Sequence, residues 1–379
     1  MTIRFSKTLC NKLRDTLRLE RPVDADSVCL ENFCLFEHPE KSMAMISDFV
    51  TAIDEGRKIE LVDEVCQDIA PYILLNSILS DVEPASVDLA IEHLGLQKMI
   101  THLNLPMLGQ FCDHCQSDDI WPFPVAYGRS QIRSLESDEI RREIWSAVSG
   151  LIEALQSWLQ TQSFMMTDDF PSIMENMLLE LIGNSNHAYE GGHDESGGDW
   201  CVSGYMARRE NNDSQKDSYI CYITGITLGR TISETLVQTK NPVAKSLIDQ
   251  YVLHADGDKL TDESLLTASA THDAVSCSKA GGNGLTDFLH HFTRATAANH
   301  MDQRSYVISG QGHVHFFGPY KSTVESAQRK VRQTFNVLNS VNDPPDTDHV
   351  FAVNHTFPGT IVGVRFYLDE DDLIAKYGP

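Results

Sequence analysis

The chain has 379 residues, enough for two or three domains of ordinary size, and its 41% hydrophobic and 22% charged residues suit a folded chain with a full core. Lys plus Arg is 30 against 54 Asp plus Glu, a formal charge of −24 that repels phosphate backbones and anionic lipid. No dense basic run offsets it, no apolar stretch reaches the ~18 residues of a spanning helix, and the N-terminal segment lacks the apolar core of a signal peptide; nucleic acid and membrane are therefore not expected as partners, and a cytoplasmic location is.

Residues 27–30 are the first strand candidate. Residues 42–53 carry apolar side chains at 43, 45, 46, 49, 50 and 53, close to helical spacing. Residues 58–62 alternate like a strand. Residues 69–79 read as a helix opening at Pro71, where a missing N–H costs nothing, and residues 90–100 as a closing helix. Alternating strands and helices make residues 1–105 a small α/β domain. Residues 106–169 read as a connector. Its Cys112-Asp-His-Cys115 supplies two zinc ligands, or three with His114, where a structural site needs four. With an odd total of nine scattered cysteines, the pair is expected to be two reduced thiols. Ser137 suits the N-cap of a long helix with an apolar stripe at Ile140, Ile144, Val148, Leu151, Leu155 and Leu159. That stripe docks within the chain or, as the alternative, on a second copy in a homodimer. Residues 170–379 make the last unit: a helix from about Pro171, a hairpin over residues 200–206 and 218–224, and further strands at 305–309, 313–317, 349–353 and 360–367.

Three features of that last unit carry chemistry. On the helix from Pro171, Met174, Met177, Leu178, Leu181 and Ile182 point one way, while Glu180, Asn184 and His187, spaced i, i+4, i+7, share another stripe. An amide oxygen there can ligate Mg²⁺, and a carboxylate can orient or deprotonate a water; a solvated helix face would look the same. Residues 222–232 are an apolar strand running into a turn. Residues 278–285 hold three glycines in four positions before an apolar helix at 288–292, which suits backbone N–H groups approaching an anion at a helix N-terminus.

Taken in order, Glu180-Leu-Ile-Gly-Asn184-Ser-Asn-His187-Ala, Gly225-Ile-Thr227-Leu-Gly229-Arg-Thr-Ile232 and Ser278-Lys-Ala-Gly-Gly-Asn-Gly-Leu285 resemble the N box and the two glycine boxes of the GHKL (Bergerat-fold) ATPases. The Asn-x-x-His-Ala-Tyr ending of the first is especially similar to serine kinases that act as anti-sigma factors. Phe357-Pro-Gly-Thr360 and the apolar run after it resemble the strand that closes this fold, so the likeness spans about residues 137–367. It implies a two-layer α/β sandwich that binds ATP with Mg²⁺. Asn184 would ligate the metal, and Glu180 would be the general base toward water. The backbone of Gly281, Gly282, Asn283 and Gly284 would hold the phosphates, with Lys279 neutralising their charge. Thr224, Gly225 and Gly229 would border the base. His187 would be either a polar neighbour of the site or a hydrogen-bonded structural residue, and residues 232–278 would be the lid. The family has an Asp where this chain has Gly225 and a glycine where it has Thr227. Loss of that charged adenine acceptor from a buried site costs about 1.5–3 kcal/mol, roughly ten- to a hundredfold in affinity. Compensation by Thr224 and a water, a different ligand, or a degenerate nucleotide fold all remain open at this point.

Residues 58–79 followed by 90–100 resemble a STAS-type domain. Antagonists of anti-sigma factors carry a phosphorylatable serine at the start of the helix. Here that start is Asp68-Ile-Ala-Pro-Tyr72, so phosphorylation of the chain's own N-terminal domain at the usual position is not expected. The expected fold is thus a small STAS-like α/β domain followed by a GHKL-type two-layer α/β sandwich. The resemblances imply an ATP-binding regulatory ATPase or nucleotide switch of bacterial type, in stress signalling or phage defence, with an adenine nucleotide and a partner protein as ligands. A non-catalytic pseudo-ATPase scaffold and a serine/threonine kinase acting in trans on a STAS protein are the alternatives.

Overall fold

The computed structural model describes residues 7–18, 27–113, 120–122, 126–129, 138–162, 164–166, 170–187, 199–209, 218–239, 241–272, 275, 304–317, 323–325, 330–368 and 373–375. Its first part runs α1 (Lys7–Leu17), β1 (Ser27–Leu30), α2 (Pro39–Glu55), β2 (Lys58–Leu61), α3 (Ile69–Ile78), β3 (Leu89–Ile91) and α4 (Leu94–His102). The three strands pair in parallel in the order β1-β2-β3. The apolar stripe of α2, including Met43, Ile46, Phe49 and Val50, is buried. In α3 every residue is buried, and Asp68 caps it by accepting the Ala70 N–H; Pro71 is the third helical residue rather than the first, still within the turn whose N–H groups lack intrahelical partners. The helix expected over residues 90–100 is shorter. Ala90 and Ile91 complete the sheet by pairing with Glu60 and Leu61, so the chain turns helical only at Leu94.

The second part continues with β4 (Ile120–Pro122), β5 (Ala126–Arg129), α5 (Asp138–Thr161), β6 (Phe164–Met166), α6 (Phe170–His187), β7 (Asp199–Arg209) and β8 (Ser218–Leu228). Then come α7 (Ile232–Leu236), α8 (Pro242–Val252), α9 (Asp262–Ser269), β9 (Arg304–Phe316), β10 (Thr323–Glu325), β11 (Lys330–Arg332), β12 (Val350–Leu368) and β13 (Leu373–Ala375). An antiparallel sheet runs β4-β7-β8-β12-β9, with β5 also on β7, so both short strands of the presumed connector edge this sheet. Each of β9 and β12 unites two expected strands. The extra residues of β12 between Ala352 and Thr360 are absorbed as bulges opposite Gly310, which bends the pair without breaking it.

Both faces of the antiparallel sheet are covered. Tyr219, Cys221 and Ile223 of β8 join Val148, Leu151, Leu155 and Leu159 of α5 and Met174, Met177, Leu178 and Leu181 of α6. Tyr222, Ile226 and Leu228 face the other way into the core of the N-terminal unit, where α2 lies on β12 and α3 on β8. Burial on both sides is why β8 reads as one apolar run rather than an alternating one. The result is a mixed α/β protein with one parallel and one larger antiparallel sheet, and among the described residues no barrel. Residues 232–269 are not the expected open lid loop. Capping boxes at Thr231 and Thr261 start α7 and α9, and Leu265 and Ala268 anchor α9 in the core against β9. Among the described residues no helix is long and apolar enough to cross a membrane.

Candidate functional site

The helix α6 and the end of β8 lie side by side, with Leu181 directly over Gly225. A Cβ on Gly225 would stand 2.8 Å from both Cγ and Cδ1 of Leu181. The segment carrying Glu180, Asn184 and His187 is therefore next to the segment carrying Gly225, Thr227 and Gly229. Glu180 is half-buried beside this contact. Asn184 and His187 follow it on the same helix. Lys279, Gly281, Gly282, Asn283 and Gly284, the helix expected at 288–292 and Cys115 lie outside the described residues.

Other residues expected at a nucleotide site are placed elsewhere or already engaged. The Thr224 hydroxyl donates to the Val362 carbonyl at 3.0 Å, and Thr224 belongs to the face turned toward the N-terminal unit, because neighbouring residues of a strand point to opposite sides. It cannot supplement base recognition on the α6 side. The Gly229 N–H donates to Pro358 O at 3.1 Å, and two residues later Thr231 opens α7, so the turn after β8 is a helix cap rather than a free phosphate loop. The space where an Asp at 225 would stand holds Leu181. Between α5, α6, β7 and β8 the residual apolar cavity is about 10 Å³, lined by Leu151, Leu155, Met174, Leu178, Val202 and Ile223. That is room for about one water, far below a nucleobase. Among the described residues no cluster of three or more His, Cys, Asp or Glu is arranged for a metal.

On the opposite face the structure has a built polar centre that the sequence reading did not single out. Asp68, buried at the start of α3, accepts the Leu35 N–H at 2.9 Å, the Ala70 N–H at 3.0 Å and the Tyr306 hydroxyl at 3.1 Å. Burial pushes its carboxyl up to about 6 despite those donors. The Tyr205 hydroxyl donates to Cys66 O, Tyr205 stacks on Tyr222 at 4.8 Å, and Phe36 meets Tyr306 edge-on at 4.7 Å. Arg365 and Arg304 both reach Glu37. Three tyrosines of the sheet thus plug the carboxyl end of the parallel strands, where open α/β sheets commonly bind ligands. The helix start likened to a phosphoacceptor position is sealed inside this contact. The signal available in sequence was the tyrosines at 205, 222 and 306, each next to apolar residues of its strand.

Compared with family models, with curated proteins and with solved structures, the chain matches none of them.

Proposed function

We propose that this chain is a regulatory nucleotide-binding protein of the GHKL type, with Mg·ATP held along α6 and an N-terminal STAS-like unit docked on the reverse of the sheet. The observation that carries this reading is the Leu181–Gly225 contact, which sets the 180–187 and 225–231 segments next to each other as a site between helix and strand end requires. In it Asn184 would ligate Mg²⁺ and Glu180 would orient water. The backbone of residues 281–284, with Lys279, would receive the phosphates. Because Leu181 fills the place of an adenine acceptor, the base is held by fewer polar contacts than in relatives that have an Asp there, and binding is weaker by roughly ten- to a hundredfold.

The same Leu181 favours a second reading, a scaffold that has lost its nucleotide and kept the fold for binding a partner protein. Calorimetry separates the two. Wild type and Asn184→Ala are titrated with ATP, ADP and GTP, each with and without Mg²⁺. Mg²⁺-dependent heat with adenine nucleotides in wild type, and loss of the Mg²⁺ dependence in Asn184→Ala, supports the site. No heat with any nucleotide at millimolar concentration overturns it in favour of the scaffold.

A further inference from the structure

Six buried side-chain nitrogens among the described residues lack a hydrogen-bond partner, and four of them, Nδ1 and Nε2 of His313, Nε2 of His315 and Nε of Arg304, belong to side chains of β9. His313 is fully buried. Its ring stacks on Tyr306 at 6.1 Å, lies 4.4 Å from Phe351 and meets His315 at 5.7 Å. His315 rests on Phe317 at 4.6 Å, and the Arg304 guanidinium lies over that same ring at 5.6 Å. Tyr306 is also the residue that donates to Asp68 and touches Phe36, so the imidazoles adjoin the seam between the N-terminal unit and the sheet. The charged and titratable groups around them are Arg304 and Arg365, both on Glu37, then His349 with Asp346 and Asp348 near it, Tyr306, and Asp68 behind Tyr306. The nearby cations oppose a further positive charge, and no acceptor waits for a proton on either ring nitrogen of His313.

We propose that His313 and His315 make this seam a proton-sensitive latch, closed while both imidazoles are neutral and opened when solvent can protonate them. The proposal is independent of any nucleotide. A buried imidazole without a hydrogen-bond acceptor loses its hydration without replacement, and a charged one loses far more. Burial accordingly holds His313 at about 3 and His315 at about 2, against an ordinary 6.5. Depressed values mean that the closed form is favoured above about pH 6.5 and loses that advantage as pH falls toward 3. Between pH 7 and 5 each imidazole multiplies the opening equilibrium by about 25-fold. Asp68 acts in the opposite sense. Its raised value, about 6 against 3.8, lets the closed form keep a proton that the open form releases, which favours closure about tenfold over the same range. The net effect is roughly 60-fold toward opening.

Thiol labelling of the full chain with an aromatic disulfide reagent that reacts in acid, mapped by peptide mass spectrometry, tests this. Cys34, Cys66 and Cys201 are buried in the seam-side core, whereas Cys221 is buried on the α5/α6 side. From pH 7 to 5, with rates corrected for a free thiol at each pH, Cys34, Cys66 and Cys201 should label roughly 60-fold faster while Cys221 keeps its rate. In the double variant His313→Phe, His315→Phe the acceleration should vanish and the Asp68 effect should slow labelling instead. Unchanged seam labelling at pH 5, or Cys221 accelerating in step with the other three, overturns the latch. Persistence of the acceleration in the folded double variant overturns the assignment to these imidazoles. If that variant fails to fold, the contrast between Cys221 and the seam thiols in wild type decides alone.

Discussion

The apposition of α6 and β8 can be tested by a double-mutant cycle on Gly225 and Leu181. In wild type a methyl at 225 would overlap Leu181, whose branching carbon stands only 2.8 Å from the ideal Cβ position. Leu181 is 3% exposed and packed among α5, α6 and the sheet, so it has little freedom to swing away. Overpacking of this kind costs about 1–3 kcal/mol, offset by about 0.5–1 kcal/mol because alanine has less chain entropy to lose than glycine. Gly225→Ala should therefore destabilise by about 1–2 kcal/mol. Leu181→Ala alone should cost about 2–5 kcal/mol, as for other buried leucines. In the Leu181→Ala background the overlap is gone, and Gly225→Ala should become neutral or stabilising by up to about 1 kcal/mol. The expected coupling is about 2 kcal/mol, read from urea unfolding midpoints of the four proteins at constant m-value. Additivity within about 0.5 kcal/mol would show that α6 does not lie on β8 at this point. The nucleotide reading would lose its geometric support with it. Gly225→Asp adds a buried carboxylate to the same overlap. Introducing the carboxylate acceptor of the GHKL box is therefore expected to cost the fold rather than improve base binding.

Tyr306→Phe removes the hydroxyl that reaches Asp68 from β9. Because the acceptor is a carboxylate, urea unfolding at neutral pH should show a loss of about 1.5–3 kcal/mol, and a change below about 0.5 kcal/mol would mean that the two units do not share this bond. Gly359→Ala should be more damaging, by upwards of about 3 kcal/mol in thermal or urea unfolding, since the residue has φ of +152° and a Cβ there would stand 1.9 Å from Thr227 O, a backbone atom that cannot rotate aside. Tolerance of alanine at 359 would show that the pairing of β12 with the end of β8 is misplaced.

Much of the element order was legible because the periodicities are strong. The parallel strands at 27–30 and 58–61, the helices α2, α3, α5 and α6, and the β7–β8 hairpin all follow from apolar spacing. Less legible were features set by tertiary pairing. Ala90 and Ile91 have helical neighbours in sequence but go into β3 because the edge of the parallel sheet needs them. Gly310 and residues 353–359 look like breaks between strands, yet bulges carry β9 and β12 through. The segment at 232–269 has loop-like interruptions at Gly257 and Pro242, and its helices are fixed by caps at Thr231, Asn241 and Thr261 together with burial against β9. At the candidate site, the adjacency of the 180 and 225 segments comes from α6 packing on β8 through Leu181 and Gly225. The side assignment of Thr224 and the filling of the Gly225 space depend on packing that no motif encodes. Asp68 reads in sequence as an ordinary helix cap. Its tyrosine partner arrives from a strand 238 residues away.

The aromatic seam has a practical consequence for anyone who dissects the chain. A fragment trimmed to the antiparallel sheet and α5–α9 would bare Tyr205, Tyr222, Tyr306, Ile226 and Phe357 to water as one greasy slab, with Arg365 stripped of Glu37. Poor solubility or self-association of such a truncation would report on the missing cover, and says nothing about whether the remaining half can bind a small molecule.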